Sequence, residues 1–120
     1  MPQQRDDNAP LTGRHLLIDL HTQPVLLTDA ALLEQSIRAA IDACGARLLQ
    51  FRSHTFDGGG LTAFAMLAES HISAHTWPEH GFVAFDIFTC GADADPHLAC
   101  AELQRCYPPE QLQVREILRG

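Results

Sequence analysis

Residues 14–20 alternate apolar and polar positions, with Leu16, Ile18 and Leu20 on one side, and this period of two predicts a half-buried strand. Beyond Pro24 the period changes. Leu33, Ile37, Ala40, Ile41 and Cys44 recur at helical spacing; Thr28 or Asp29 can cap the start, and Gly45 stands where a left-handed residue closes a helix. Residues 47–53 predict a second strand. Asp57-Gly58-Gly59-Gly60 must then be a tight turn, because three successive glycines lose too much chain entropy to sit inside an element. Residues 61–69 and 82–89 are apolar at both alternating sets of positions, which predicts central strands covered on two faces. The stretch between them reads as extended chain or loop, ending in a loop around Trp77-Pro78-Glu79-His80-Gly81. Asp95-Pro96, a capping carboxylate followed by a first-turn proline, opens a second helix running to Cys106; Pro108-Pro109 stops it before a last strand over 112–118. Residues 1–12 carry two prolines and no periodicity and read as a flexible leader to one domain over 13–120.

The order β-α-β-β-β-α-β predicts an α+β, two-layer domain: a largely antiparallel sheet with both helices on one face. Strands apolar on both sides require a cover for the other face, and a second copy of the chain is the predicted cover, making a homodimer. The 120 residues suit one such domain.

Composition narrows the chemistry. Fifteen acidic residues against eight basic ones give a net charge of -7, which argues against a nucleic-acid partner, since phosphate-backbone binding needs clustered cations. The longest apolar run, residues 63–68, falls far short of the roughly 18 residues that span a bilayer, so no membrane partner is predicted. All eight basic residues are Arg and there is no Lys. That excludes pyridoxal enzymes, Schiff-base aldolases and the P-loop, each of which needs a lysine amine. If amines are handled here through an imine, the carbonyl has to come from elsewhere. Cys44, Cys90, Cys100 and Cys106 form no CxxC pair, and the N-terminus lacks an apolar signal segment, so reduced thiols and a cytoplasmic location are expected.

Reactive side chains concentrate between Glu69 and Gly81, followed by Asp86 and Cys90. Residues 68–91, AESHISAHTWPEHGFVAFDIFTCG, closely resemble the processing and active-site signature of prokaryotic S-adenosylmethionine decarboxylases, the pyruvoyl enzymes of spermidine synthesis. The likeness extends to Gly13-Arg14-His15-Leu16, Asp95-Pro96 and Arg119-Gly120, so it covers essentially everything beyond the leader. It implies a zymogen cut between Glu69 and Ser70, with Ser70 the precursor of a pyruvoyl cofactor that holds the substrate amine as a Schiff base. It implies His75 as the base for processing, Cys90 as the proton donor to the decarboxylated carbon, and Thr62 as the processing hydroxyl, at a position where the family usually has Ser-Gly and this chain has Thr62-Ala63. Phe56 and Trp77 correspond to rings placed against the nucleobase, and Glu79 to the carboxylate that accepts hydrogen bonds from the ribose hydroxyls. The family builds its site across a dimer interface, so Ser70 and Cys90 would meet Phe56, Thr62, His75 and Glu79 of the second copy.

Taken singly, each residue has a plainer reading: Ser70 as a turn hydroxyl, His75 as a hydrogen-bonded core histidine, Cys90 as a small buried hydrophobe, Phe56 and Trp77 as packing, Glu79 as a surface carboxylate. The resemblance also leaves open ornithine or arginine as substrate, and an inactive, non-cleaving dimeric regulatory paralogue. A zinc reading of His71, His75, His80, His97 and Cys100 is disfavoured, because four-residue spacing brings ligands together only on a helix; no metal is expected.

Overall fold

A computed structural model describes residues 12–68, 70–91 and 94–120. Nearly all of the predicted leader, and Glu69 of the predicted cleavage pair, lie outside the described residues. In chain order the elements are β1 (Gly13–His21), α1 (Ala30–Cys44), β2 (Leu48–Thr55), β3 (Leu61–Leu67), β4 (Ser70–Trp77), β5 (Phe82–Cys90), α2 (Pro96–Cys106) and β6 (Gln111–Arg119). The strands form one antiparallel sheet in the order β2-β3-β4-β5-β1-β6. The α+β architecture is as expected, but the sheet has a strand the pattern did not predict. Residues 70–77, most of the stretch between the two predicted central strands, are β4, in the middle of the sheet. Its inward positions are Ile72, Ala74 and Thr76, and its outward ones His71, Ser73, His75 and Trp77. The alternation is real, but small and hydroxylated side chains blur it.

Capping chemistry sets the helices. The Asp29 carboxylate accepts from the Leu32 N–H at 3.0 Å, and Gly45, at φ 81°, ends α1 in the left-handed region. Asp95 accepts from the His97 N–H at 2.9 Å at the head of α2. Both helices cover one face of the sheet, where Leu16, Ile18, Leu20, Ile72, Val83, Phe85 and Ile87 meet Leu33, Ile37, Leu103 and Tyr107. Burial pushes the Tyr107 phenol well above its ordinary pKa, so it stays neutral in this core.

Thr76 ties three elements together from within that core. Its hydroxyl accepts from the Leu61 N–H at 2.9 Å and donates to the Leu27 carbonyl at 2.8 Å. Thr76→Val keeps the shape and strands both backbone groups, so an expected loss of about 2–4 kcal/mol should lower the urea midpoint at fixed protein concentration. An unchanged midpoint would show that these bonds contribute nothing.

The opposite face carries no helix. Phe64 and Met66, for which a second copy of the chain is the predicted cover, are 42% and 45% exposed there in the single chain, beside His15, His71, Phe88 and Ile117. The His71 ring stacks on Phe64 at 5.6 Å and lies 5.8 Å from the Phe88 ring. Desolvation, then the neighbouring His15, holds the His71 pKa below the usual imidazole value, so the ring is neutral and cheap to cover.

Candidate active site

The loop joining β2 to β3 folds Phe56 back over the sheet end. The Phe56 N–H donates to the Gly60 carbonyl at 2.8 Å, and Gly58 and Gly59 sit at φ 90° and 98°, a bend that residues with a Cβ rarely make. Under this loop lies an open cleft of about 560 Å³ lined by Phe56, Thr62, His75, Trp77 and Glu79 among others. Five of the sequence-predicted residues thus converge. Thr62 and His75 are cross-strand partners, and Thr62 Oγ1 lies 3.0 Å from His75 Nδ1, which fixes the imidazole's orientation. Trp77 stacks on Phe82 with ring centroids 5.4 Å apart, and Glu79 sits in the short turn Pro78–His80. Two aromatic walls, an imidazole and a carboxylate suit a flat heterocycle carrying hydroxyl groups. A larger recess of about 800 Å³ adjoins the other side of Trp77, but of the predicted residues it includes Trp77 alone.

Ser70 and Cys90 are elsewhere. Ser70 opens β4 immediately after the turn from β3, opposite Leu67, and its hydroxyl donates to the Ala68 carbonyl at 3.0 Å. Cys90 closes β5 opposite Gly13 and is buried. The register that pairs His71 with Phe88 leads one step on to Ser70 and Thr89, with Cys90 next, so the serine and the thiol share one end of the sheet. From Ser70 to His75 the strand advances about 17 Å at ~3.3 Å per residue. The predicted site residues therefore fall into two groups at opposite sheet ends: Ser70 with Cys90, and the cleft with Thr62, His75, Phe56, Trp77 and Glu79. The same arithmetic separates His71 from His75 by about 13 Å along β4. Among the described residues no three His, Cys, Asp or Glu side chains gather as a metal site would.

Residues 14–120 match the family model described as S-adenosylmethionine decarboxylase. The chain belongs to the S-adenosylmethionine decarboxylase family. An S-adenosylmethionine decarboxylase proenzyme of Methanococcus maripaludis (strain C7) is 41% identical over 109 residues, 90% of this chain and 89% of its own. The proenzyme of Parasynechococcus marenigrum (strain WH8102) is 45% identical over 95 residues, 78% of this chain and 74% of its own. The crystal structure of the adenosylmethionine decarboxylase from Aquifex aeolicus VF5 superimposes with a TM-score of 0.86 at 26% identity, covering 93% of each chain. The two-layer fold is thus the fold of an S-adenosylmethionine decarboxylase.

Within this decarboxylase framework two side chains went unnoticed in the sequence. His54, facing Thr62 across the ladder, presents its ring edge-on to Phe56 at 4.6 Å and so braces one cleft wall. Thr89 is the other. It breaks the apolar series Val83, Phe85, Ile87 on the helix-covered side of β5, and that hydroxyl in a buried register was the available signal.

Proposed function

We propose that this chain is an S-adenosylmethionine decarboxylase proenzyme that activates itself by cutting between Glu69 and Ser70, and that its product serves spermidine synthesis. The observation that carries the reading is the cleft that gathers Phe56, Trp77 and Glu79 beside the Thr62–His75 pair, in a chain of this family. In cleavage the Ser70 hydroxyl attacks the Glu69 carbonyl and the peptide C–N bond breaks, leaving an ester. His75 removes the proton from the residue-70 α carbon, the Cβ–O bond breaks, and the Glu69 carboxylate departs. Water then releases ammonia from the dehydroalanine end, leaving a pyruvoyl group on residue 70. Ser70 fits this fate because it begins a strand at a turn, and a chain without lysine needs a carbonyl of its own making. Once formed, the pyruvoyl group supplies an electrophilic carbonyl and an electron sink for loss of the substrate carboxylate. Phe56 and Trp77 sandwich the nucleobase, and their ring faces also suit the sulfonium cation; Glu79 accepts hydrogen bonds from the ribose hydroxyls. Cys90 delivers a proton to the carbon that has lost its carboxylate.

Cutting the chain does not release its halves. Residues 1–69 hold β1, β2 and β3, while 70–120 hold β4, β5 and β6, and β1 lies between β5 and β6. Three ladders, β3 with β4, β5 with β1, and β1 with β6, become contacts between products. The complete site forms in a homodimer. Two sheets packed through their open faces about a two-fold axis running across the strands bring the Ser70–Cys90 end of one copy over the cleft of the other, ~10 Å away. Reduced cysteines and the absence of a membrane-spanning helix among the described residues accord with a cytoplasmic enzyme.

The test is the intact mass under denaturing conditions, with and without a carbonyl reagent, followed by carbon dioxide release from S-adenosylmethionine, ornithine and arginine. Fragments 1–69 and 70–120 are expected, the second gaining mass with the reagent, and only S-adenosylmethionine should turn over. A single unmodified chain would sink the reading in favour of a non-cleaving regulatory protein, and turnover of a basic amino acid would reassign the substrate.

A further inference from the structure

Thr89 is 1% exposed, and its hydroxyl has no hydrogen-bond partner among the described residues. Buried hydroxyls are nearly always paired, so an unpaired one calls for a reason. The sheet register supplies it. Leu67 faces Ser70, and Thr89 faces Arg14. The β4–β5 ladder ends at His71 and Phe88, and one step beyond it Ser70 and Thr89 fall into one row with Leu67 and Arg14, on the face that the helices cover. Cross-strand neighbours in such a row have Cβ atoms ~5 Å apart, within hydrogen-bonding reach for two hydroxyl side chains. The other polar member of the row is already engaged: Arg14 Nε donates to Glu116 at 2.9 Å, and its guanidinium lies 3.8 Å from Asp95. Ser70, for its part, spends its proton on the Ala68 carbonyl. Among the described residues, a buried hydroxyl without a partner therefore stands in register with the residue whose oxygen must leave.

We infer that Thr89 is a catalytic hydrogen-bond donor of the self-cleavage, its Oγ1–H holding the oxygen that departs from the residue-70 Cβ. The inference rests on the cleavage proposed above. In the elimination the α proton passes to His75, its electron pair forms the Cα=Cβ bond, and the Cβ–O pair leaves on the oxygen, which becomes part of the Glu69 carboxylate. Negative charge grows on that oxygen as the bond breaks. A preorganised donor in a water-poor site stabilises such charge more than it stabilises the neutral ester, so it acts on the rate of elimination.

The experiment compares the wild-type chain with Thr89→Val, which keeps the shape, and Thr89→Ser, which keeps the donor, following processing by intact mass with and without hydroxylamine. Thr89→Val should form the pyruvoyl fragment about 100-fold more slowly and accumulate ester. Hydroxylamine would then split it into residues 1–69 bearing a hydroxamate and residues 70–120 beginning with an intact, reagent-silent Ser70. Thr89→Ser should restore the pyruvoyl fragment. Processing of Thr89→Val at the wild-type rate overturns the inference. So does a Thr89→Val chain that yields neither fragment nor ester, or a Thr89→Ser chain as slow as Thr89→Val. An uncut wild-type chain instead overturns the cleavage reading itself, so the two failures are distinguishable.

Discussion

Ser70→Ala is expected to remain one 120-residue chain, to give no carbonyl-reagent adduct and to release no carbon dioxide, while folding as the wild type does. The expectation is sharp because the two consequences of the substitution separate. Chemically, alanine has no oxygen to attack the preceding carbonyl, so ester formation and everything after it stop. Structurally, the lost hydroxyl bonds the Ala68 carbonyl and no other group among the described residues, at a half-buried position. Removing a local bond of that kind changes stability by about 1 kcal/mol. The β3–β4 ladder from Thr62–His75 to Leu67–Ser70 is backbone pairing and does not depend on the side chain. Size-exclusion behaviour and circular dichroism should therefore match the wild type, while denaturing mass spectrometry shows one species instead of two. A Ser70→Ala chain that still splits at 69–70 would remove Ser70 from the chemistry, whatever the fold.

The elements most legible in the sequence are those whose signals are local. Asp29, Gly45 and Asp95-Pro96 mark helix ends by chemistry confined to one turn, and each sits at the boundary it predicts. The glycine run predicts a turn for the same reason. β4 escaped because its place in the sheet is set by partners distant in sequence. Between β3 and β5, packing lets Ala74 and Thr76 serve as core positions and leaves His71 and His75 on the open face, so hydrophobic period alone does not reveal it. Phe64 and Met66 lie on the face for which the pattern predicts a second copy as cover, and within one chain they stand exposed. As for the site, a glutamate–serine pair, a histidine and a cysteine imply little individually, and their proposed roles came from the resemblance of the whole segment. What no motif conveys is distance. Only with β4 in place does the five-residue interval from Ser70 to His75 become a separation of about 17 Å along the sheet.

That separation leads to the most discriminating expectation. Cys90→Ala and Glu79→Gln should each process normally and each lose nearly all decarboxylation, because proton delivery and ribose binding are separate duties. Co-expressed in equal amounts, the two variants should recover about a quarter of wild-type activity if each site takes Ser70 and Cys90 from one copy and the cleft from the other. Random pairing makes half of the dimers mixed. In a mixed dimer, Cys90 of the Glu79→Gln copy lies over the intact cleft of the Cys90→Ala copy, giving one complete site, while the remaining site combines both defects. Were all the groups of a site to come from one chain, every site in the mixture would carry one defect and no activity would return. Because both single variants retain Ser70, Thr62, His75 and Thr89, cleavage proceeds in every pairing, and the recovered rate measures shared construction of the site alone.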